Sequence, residues 1–209
     1  MNGSKPNSPL SFFDRLFLWF FYFVRSLRFD LPENQVGWRS RQNQELRFQT
    51  LTQIGDLEGK RILDLGCGLG CFYGFLKGKG WKGDYNGIDI LGMMVKKAKK
   101  RFPGTLFEQR DILKDPLAEK WDYVLINGVF NHKVRDNWGW MEVMVPQAFA
   151  ASGMGLAFNL LNVEGGWLDS ELFYANPRTL EEKVKVWSKG KYKIIKGYLP
   201  EDISVFMYH

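Results

Sequence analysis

The chain is short of the residue types that most often announce a reaction. Its 209 residues hold two cysteines and two histidines, and each scarcity rules something out. Cys67 and Cys71 stand four positions apart across a glycine cluster, too few for a disulfide framework or a four-ligand metal site, so no metal is expected. Reduced thiols of this kind fit a cytoplasmic protein. Long apolar runs are also missing: the longest, Leu16 to Val24, has nine residues, whereas a bilayer span takes about 20. A secretory signal is disfavoured because Asp14 and Arg15 break the apolar stretch and no small-residue cleavage site follows. There is no internal repeat and no low-complexity tract.

What is present is ordinary in bulk and unusual in detail. Apolar residues make up 45% and charged residues 25%, as in globular proteins generally, and the length suits one domain with one core. Aromatics reach 16%, with eight Trp and seventeen Phe; they can fill a core or line an organic pocket. A net charge of +6 permits an anionic partner without demanding nucleic acid.

Residues 1–9 are polar and carry prolines, the mark of a mobile tail. The segment 12–28 has three readings. The preferred one is an amphipathic helix that covers the main domain and closes its pocket. The others are plain packing on the sheet, and weak membrane-surface contact, with Arg25 and Arg28 flanking the apolar run. Residues 1–37 are therefore read as tail and lid, and 38–209 as the functional domain. Asp30 to Gly37 is a connector, and Trp38 to Ile54 an amphipathic helix stopped by Gly55. Trp38, Arg41, Gln44 and Arg47 recur every three residues on its surface, a face that is either solvated or turned toward a carboxylate.

The chain is organised around Lys60 to Phe72, KRILDLGCGLGCF, which reads as a buried strand, a tight turn and a helix. Strand and helix signals then alternate. Strands are expected at Tyr85 to Ile90, Thr105 to Gln109, Tyr123 to Ile126 and Gly155 to Leu161, with helices at Phe72 to Lys77, Met93 to Phe102 and Trp138 to Ala151. Such alternation predicts an α/β fold, a doubly wound, mostly parallel sheet with helices on both faces. A helix from Arg178 to Ser188, capped by Asn176 with Pro177 at its first position, precedes two further strands, Lys191 to Gly197 and Ile203 to Tyr208, which makes seven strands.

A dinucleotide fingerprint, Gly-x-Gly-x-x-Gly from Gly66, would need a third glycine at position 71, and that residue is Cys71. The pattern present is Asp64-x-Gly66-x-Gly68-x-Gly70. It resembles the first motif of the class I S-adenosylmethionine-dependent methyltransferases, and Asp89 and Asp111 fall at the next two strand ends. The resemblance spans about Arg39 to the C-terminus. It implies a Rossmann-like methyltransferase fold with an antiparallel last strand, here preceded by an N-terminal helical extension.

The resemblance further implies S-adenosylmethionine as cofactor and S-adenosylhomocysteine as product. Asp64 and the loop of Gly66, Cys67, Gly68 and Gly70 would lie under the methionine and ribose, and Asp89 would accept the ribose hydroxyls. Asp111 would accept from the adenine amino group, with Ile112 and Leu113 on one side of the ring and Ile90 and Leu91 on the other; a cap role for Asp111 competes. Arg47 could pair with the cofactor carboxylate.

The fourth strand runs into Asn127-Gly128-Val129-Phe130-Asn131-His132, where the transferred methyl is expected to sit, with Asn127 a candidate cofactor contact and the rest candidates for positioning the acceptor. Asn131 and His132 are the candidate catalytic pair, His132 as a general base with a pKa near working pH or as a structural histidine. This run lacks the prolines of DNA amino-methylating enzymes and the cysteine nucleophile of pyrimidine-carbon methylators, which demotes base methylation. Phe130, Trp138, Trp140 and Tyr174 are candidate substrate contacts, together with Trp167 and Phe173; core packing is the rival for each. Glu142, Asp169 and Glu171 could orient a cationic acceptor. The run Lys96, Lys97, Lys99, Lys100, Arg101 reads as a solvated face, with an RNA or anionic surface as the other reading.

Phe158-Asn159-Leu160 and the run Leu172 to Pro177 resemble a bacterial small-molecule branch of the family. The expected activity is methylation of a nitrogen or oxygen of a small metabolite by a monomer or homodimer. An RNA methyltransferase and a non-catalytic binder of the cofactor are the alternatives.

Overall fold

The computed structural model describes residues 9–37, 40–166 and 168–209. Trp38, Trp167 and most of the expected N-terminal tail lie outside the described residues. Helices α1 (Phe12–Arg28), α2 (Pro32–Gln35) and α3 (Arg41–Leu51) come first. Then follow β1 (Arg61–Leu65), α4 (Cys71–Gly78), β2 (Asp84–Asp89), α5 (Gly92–Arg101), β3 (Leu106–Gln109), β4 (Trp121–Ile126), α6 (Asn137–Ala151) and β5 (Ser152–Asn162). The chain ends with β6 (Tyr174–Ala175), α7 (Pro177–Trp187), β7 (Tyr192–Lys196) and β8 (Asp202–Tyr208).

The strands form one sheet in the order β3-β2-β1-β4-β5-β8-β7, with β6 alongside the end of β5. Strands β1 to β5 pair in parallel. Strand β8 inserts antiparallel between β5 and β7, as the expected closing hairpin requires. The sheet has eight strands rather than seven because Tyr174 and Ala175 pair with Leu161 and Asn162. A two-residue strand has no hydrophobic period to read.

Successive strand residues point to opposite faces, and the core divides accordingly. Leu63, Leu65, Val124 and Ile126 pack with Met141, Val145 and Ala148 of α6 and Leu180 and Val184 of α7. Ile62, Tyr123 and Leu125 pack on the other face with Phe48 and Leu51 of α3 and Phe72 and Leu76 of α4. Burial on both faces is why these strands read as nearly continuous apolar runs. Among the described residues no helix is long and apolar enough to cross a membrane.

Helix α1 starts with a capping box, in which Ser11 accepts from the Asp14 amide and Asp14 from the Ser11 amide. Its inward stripe attaches it to the domain through polar groups. Asp14 accepts from the Arg135 amide at 3.0 Å, Arg15 pairs with Asp111, and Tyr22 meets His132 at 3.1 Å. Arg25 donates to the carbonyl of Asn34 in α2 at 2.7 Å. The helix that the connector reading missed is α2, a single turn begun by Pro32.

One expectation fails at α3. Arg47 does not face the cofactor site: its guanidinium makes a two-pronged pair with Asp202 of β8, at 2.7 Å and 2.5 Å, and both side chains are buried. Arg41, on the same supposed face, is exposed and bound to Glu45. The sequence spacing located a face, but Asp202, 155 residues away, took the cation.

Candidate active site

In an open parallel sheet a ligand binds beyond the carboxyl ends of the strands, where the strand order reverses. Here that point lies at β1, flanked by β2 on one side and β4 on the other. The loop after β1 is fastened to β2, since the Gly66 and Cys67 amides both donate to the Ile88 carbonyl, at 2.7 and 3.1 Å. Gly66 has φ +77°, and a Cβ there would lie 2.2 Å from Val129 Cγ2, so only glycine fits between the two loops. Gly70 serves differently. It caps α4 at φ +70°, and a Cβ would press on Phe107 at 2.8 Å, so it packs the core and does not line the pocket.

A cavity of about 140 Å³ opens over this loop. Asp64, Gly66, Cys67, Gly68, Asp89 and Ile90 line it, with Asp111, Ile112 and Leu113 from the loop after β3. Asn127, Gly128 and Val129 after β4, Trp140 of α6, and Leu18 and Tyr22 of α1 also face it.

Two buried carboxylates set its electrostatics. Asp89 accepts from the Gly68 and Leu91 amides, each at 2.8 Å. Burial nevertheless pushes its pKa up to about 6 against the pull of those two donors. Asp64 accepts from the Tyr85 hydroxyl at 2.5 Å, and burial raises its pKa to about 7. Asp111 divides its oxygens: one pairs with Arg15 of α1, and the other accepts from the Leu113 amide at 3.2 Å. The cap reading of Asp111 is thus seen in the Leu113 contact, while its other oxygen is taken by Arg15.

The loop after β4 is held from β5. Asn159 donates to Asn127 Oδ1 at 2.6 Å and accepts from the Gly128 amide at 2.7 Å. Behind this wall, His132 is enclosed by the rings of Phe17, Phe21 and Tyr22. Burial takes its pKa down to about 4, with Arg25 acting in the same direction. A pKa near working pH is thus corrected: the imidazole is neutral, and its Nε2 is shared with the Tyr22 hydroxyl. His132 Nδ1 and Asn131 Oδ1 are buried and have no hydrogen-bond partner among the described residues.

Comparison with known proteins decides what kind of site this is. A protein family described as a methyltransferase domain matches residues 56–194. The chain belongs to this family, and with it to the class I S-adenosylmethionine-dependent methyltransferases. The provisionally named methyltransferase Rv1506c of Mycobacterium tuberculosis is 32% identical over 130 residues, 59% of this chain and 78% of that protein. Among solved structures, magnesium protoporphyrin IX methyltransferase from Synechocystis PCC 6803 with bound S-adenosylmethionine is similar in fold, at TM-score 0.64 and 16% identity, over 92% of this chain and 95% of that one. A complex of DhpI with S-adenosylhomocysteine gives TM-score 0.66 at 15% identity, over 90% and 92% of the two chains. Two observations on this chain fit the methyltransferase cofactor: the backbone of Gly66 and Gly68, both at positive φ, which lines the cavity without side chains, and the Asp89 carboxylate at the adjoining strand end.

Several expected substrate contacts turn out to be structural. Phe130 is fully buried between Trp140 and Phe158. Trp138 lies edge-on against Phe173 with Lys183 over its ring, away from the cavity. Tyr174 accepts from the Asp169 amide at 3.0 Å and is also outside it. These aromatics follow the rule that large rings are consumed by the core first. Of the four substrate candidates, Trp140 alone lines the cavity. Gln44, of the α3 face singled out in the sequence, does line it, as do Leu18, Tyr22 and Met144, which sequence reading did not single out. Leu18 and Tyr22 were findable, because Asp14, Leu18 and Tyr22 recur every four residues and so share one side of a helix.

Proposed function

We propose that this methyltransferase transfers the methyl group to a nitrogen or oxygen of a small molecule with an apolar or aromatic part. The supporting observation is the apolar share of the cavity lining. Val129, Trp140 and Met144 line it, and α1 adds Leu18 and Tyr22. An acceptor there meets rings and aliphatic groups, and among the described residues no lysine and one arginine, Arg110, which is bound to the Pro116 carbonyl at 2.7 Å. A polynucleotide would want the reverse, a cationic open groove.

In this reading Asp89 accepts the ribose hydroxyls, and Ile90, Ile112 and Leu113 hold the adenine beside Asp111. The glycine loop with Asp64 and Cys67 supports the methionine. Asn127, fixed by Asn159, marks the boundary between cofactor and acceptor. His132 works as a positioning residue that orients Tyr22, and Asn131 stands beside it. Displacement at a sulfonium has a leaving group that needs no proton, so alignment of acceptor and methyl in a water-poor pocket supplies much of the rate. The bound cofactor supplies the electrophilic methyl; the chain supplies orientation and exclusion of water. Helix α1 is the lid over the cavity.

The test is turnover with methyl-labelled S-adenosylmethionine against a fractionated metabolite extract and, separately, against tRNA and rRNA. Label in small-molecule fractions supports the reading. Label in RNA overturns it. Tight cofactor binding with no label in either makes the protein a non-catalytic binder.

A further inference from the structure

Helix α1 is apolar nearly all round. A helix that packs on a globular domain ordinarily turns its apolar stripe inward and its polar residues to water. In α1 the side toward the domain carries Asp14, Phe17, Leu18, Phe21, Tyr22 and Arg25, and the opposite side, where polar residues belong, is a second apolar stripe of Phe13, Leu16, Phe20, Val24 and Leu27. Phe12, Phe13 and Leu27 are 72%, 77% and 73% exposed. Trp19 and Phe20 are exposed as well, and Trp19 stacks on Phe23 at 4.9 Å. A patch of this extent on a soluble surface marks an interaction site.

The charges beside the ridge indicate its partner. The single acid in α1, Asp14, is buried beneath the helix, and Arg28 is exposed at the C-terminal end. Helix α5 adjoins that end through Lys97, which donates to the Ser26 carbonyl at 3.3 Å. Lys100 lies three residues on, hence on the same side of α5, and is exposed. Aromatic and aliphatic side chains in a row with cations at the margin match the interfacial helices that lie in the headgroup layer. The outer stripe of α1 holds no carboxylate that could complement these cations in a second copy.

We infer that α1 docks this protein on an anionic lipid surface, with Phe12, Phe13, Trp19, Phe20 and Leu27 entering the headgroup boundary and Arg28 and Lys100 meeting lipid phosphates. The proposal stands apart from the identity of the methyl acceptor and needs no turnover to test. The same helix lines the cavity through Leu18 and Tyr22, so docking would set the cavity close to the lipid interface.

The experiment is flotation of the full chain with phosphatidylcholine vesicles and with equimolar phosphatidylcholine and phosphatidylglycerol. Binding to the mixed vesicles, at least about tenfold stronger than to phosphatidylcholine alone and weakened by salt, is expected. The triple substitution Phe13→Ser, Phe20→Ser, Leu27→Ser should abolish flotation while leaving calorimetric binding of S-adenosylhomocysteine intact. If that variant does not fold, Arg28→Glu with Lys100→Glu replaces it, with an expected loss of about tenfold or more. No flotation with either vesicle overturns the proposal, as does flotation unchanged by both variants. Self-association that disappears in the triple variant, without flotation, assigns the ridge to a second copy instead.

Discussion

Asp89 has one carboxylate for two sets of partners. Two backbone amides hold it in place, and its remaining lone pairs are the ones proposed to meet the ribose. Burial sets its pKa at about 6, so the ionised form that accepts from two hydroxyls loses population in mildly acidic solution. Affinity for S-adenosylhomocysteine should therefore hold above that pH and fall about tenfold per pH unit below it. Asp89→Ala should cost about 100-fold or more at neutral pH, the loss of hydrogen bonds to a charged acceptor. Calorimetry at several pH values checks both, and an affinity flat from weakly acidic to neutral pH would remove Asp89 from the role. His132 gives a second residue-scale prediction. With a pKa near 4 against an ordinary 6.5, its imidazole stays neutral throughout the working range. In NMR of histidine-labelled protein, the ring signals missing from His132→Gln should titrate well below neutrality; a midpoint near the ordinary value would restore it as a candidate base.

Among the elements, the parallel strands and their helices were legible because each carries its own period and its own stop. Pro177 and Asn176 begin α7, and alternate residues of β1 and β4 serve opposite core faces. Part of the cavity lining was legible for a related reason: Asp64, Gly66, Cys67, Gly68, Asp89 and Asp111 sit at strand ends that the pattern locates, and all line it. The aromatic lining was not. Phe130, Trp138 and Tyr174 look no different in sequence from Trp140, and only packing decides which ring faces a cavity. Arg47 failed for want of a long-range partner, since nothing local points from α3 to Asp202. That pair makes its own prediction. Arg47→Ala would leave Asp202 buried without its cation and should destabilise the fold by about 3–5 kcal/mol, whereas a paired change to Arg47→Met and Asp202→Leu should recover most of it. Denaturant unfolding measures the difference. A stable Arg47→Ala protein with lost cofactor affinity would instead return Arg47 to the site.

At the scale of the whole molecule, the buried ionisable groups tie stability to pH in a direction opposite to the usual one. Asp64 and Asp89 have folded pKa values of about 7 and 6 against an ordinary 3.8. The folded state thus holds protons that the unfolded state has released, and the stability they contribute is complete in acid and lost as pH rises through about 6 and 7. Burial raises Asp202 as well, Arg47 pulling the other way, so it acts in the same direction. His132 opposes them: its folded pKa of about 4 lies below 6.5, so its contribution is lost as pH falls through that window. Between about pH 8 and pH 5 the two aspartates therefore stabilise the fold and His132 opposes them. With two groups against one, the melting temperature should be higher at the lower pH. Asp64→Asn, which cannot ionise, should flatten the profile by removing the largest part of it. Saturating S-adenosylhomocysteine should flatten it too, because a ligand that requires ionised Asp89 binds best where the free protein is least stable. Melting curves across this range, with and without ligand, check the sign; a free protein that melts highest at about pH 8 would show that these carboxylates ionise without cost, and that the cavity around them is wetter than its burial implies.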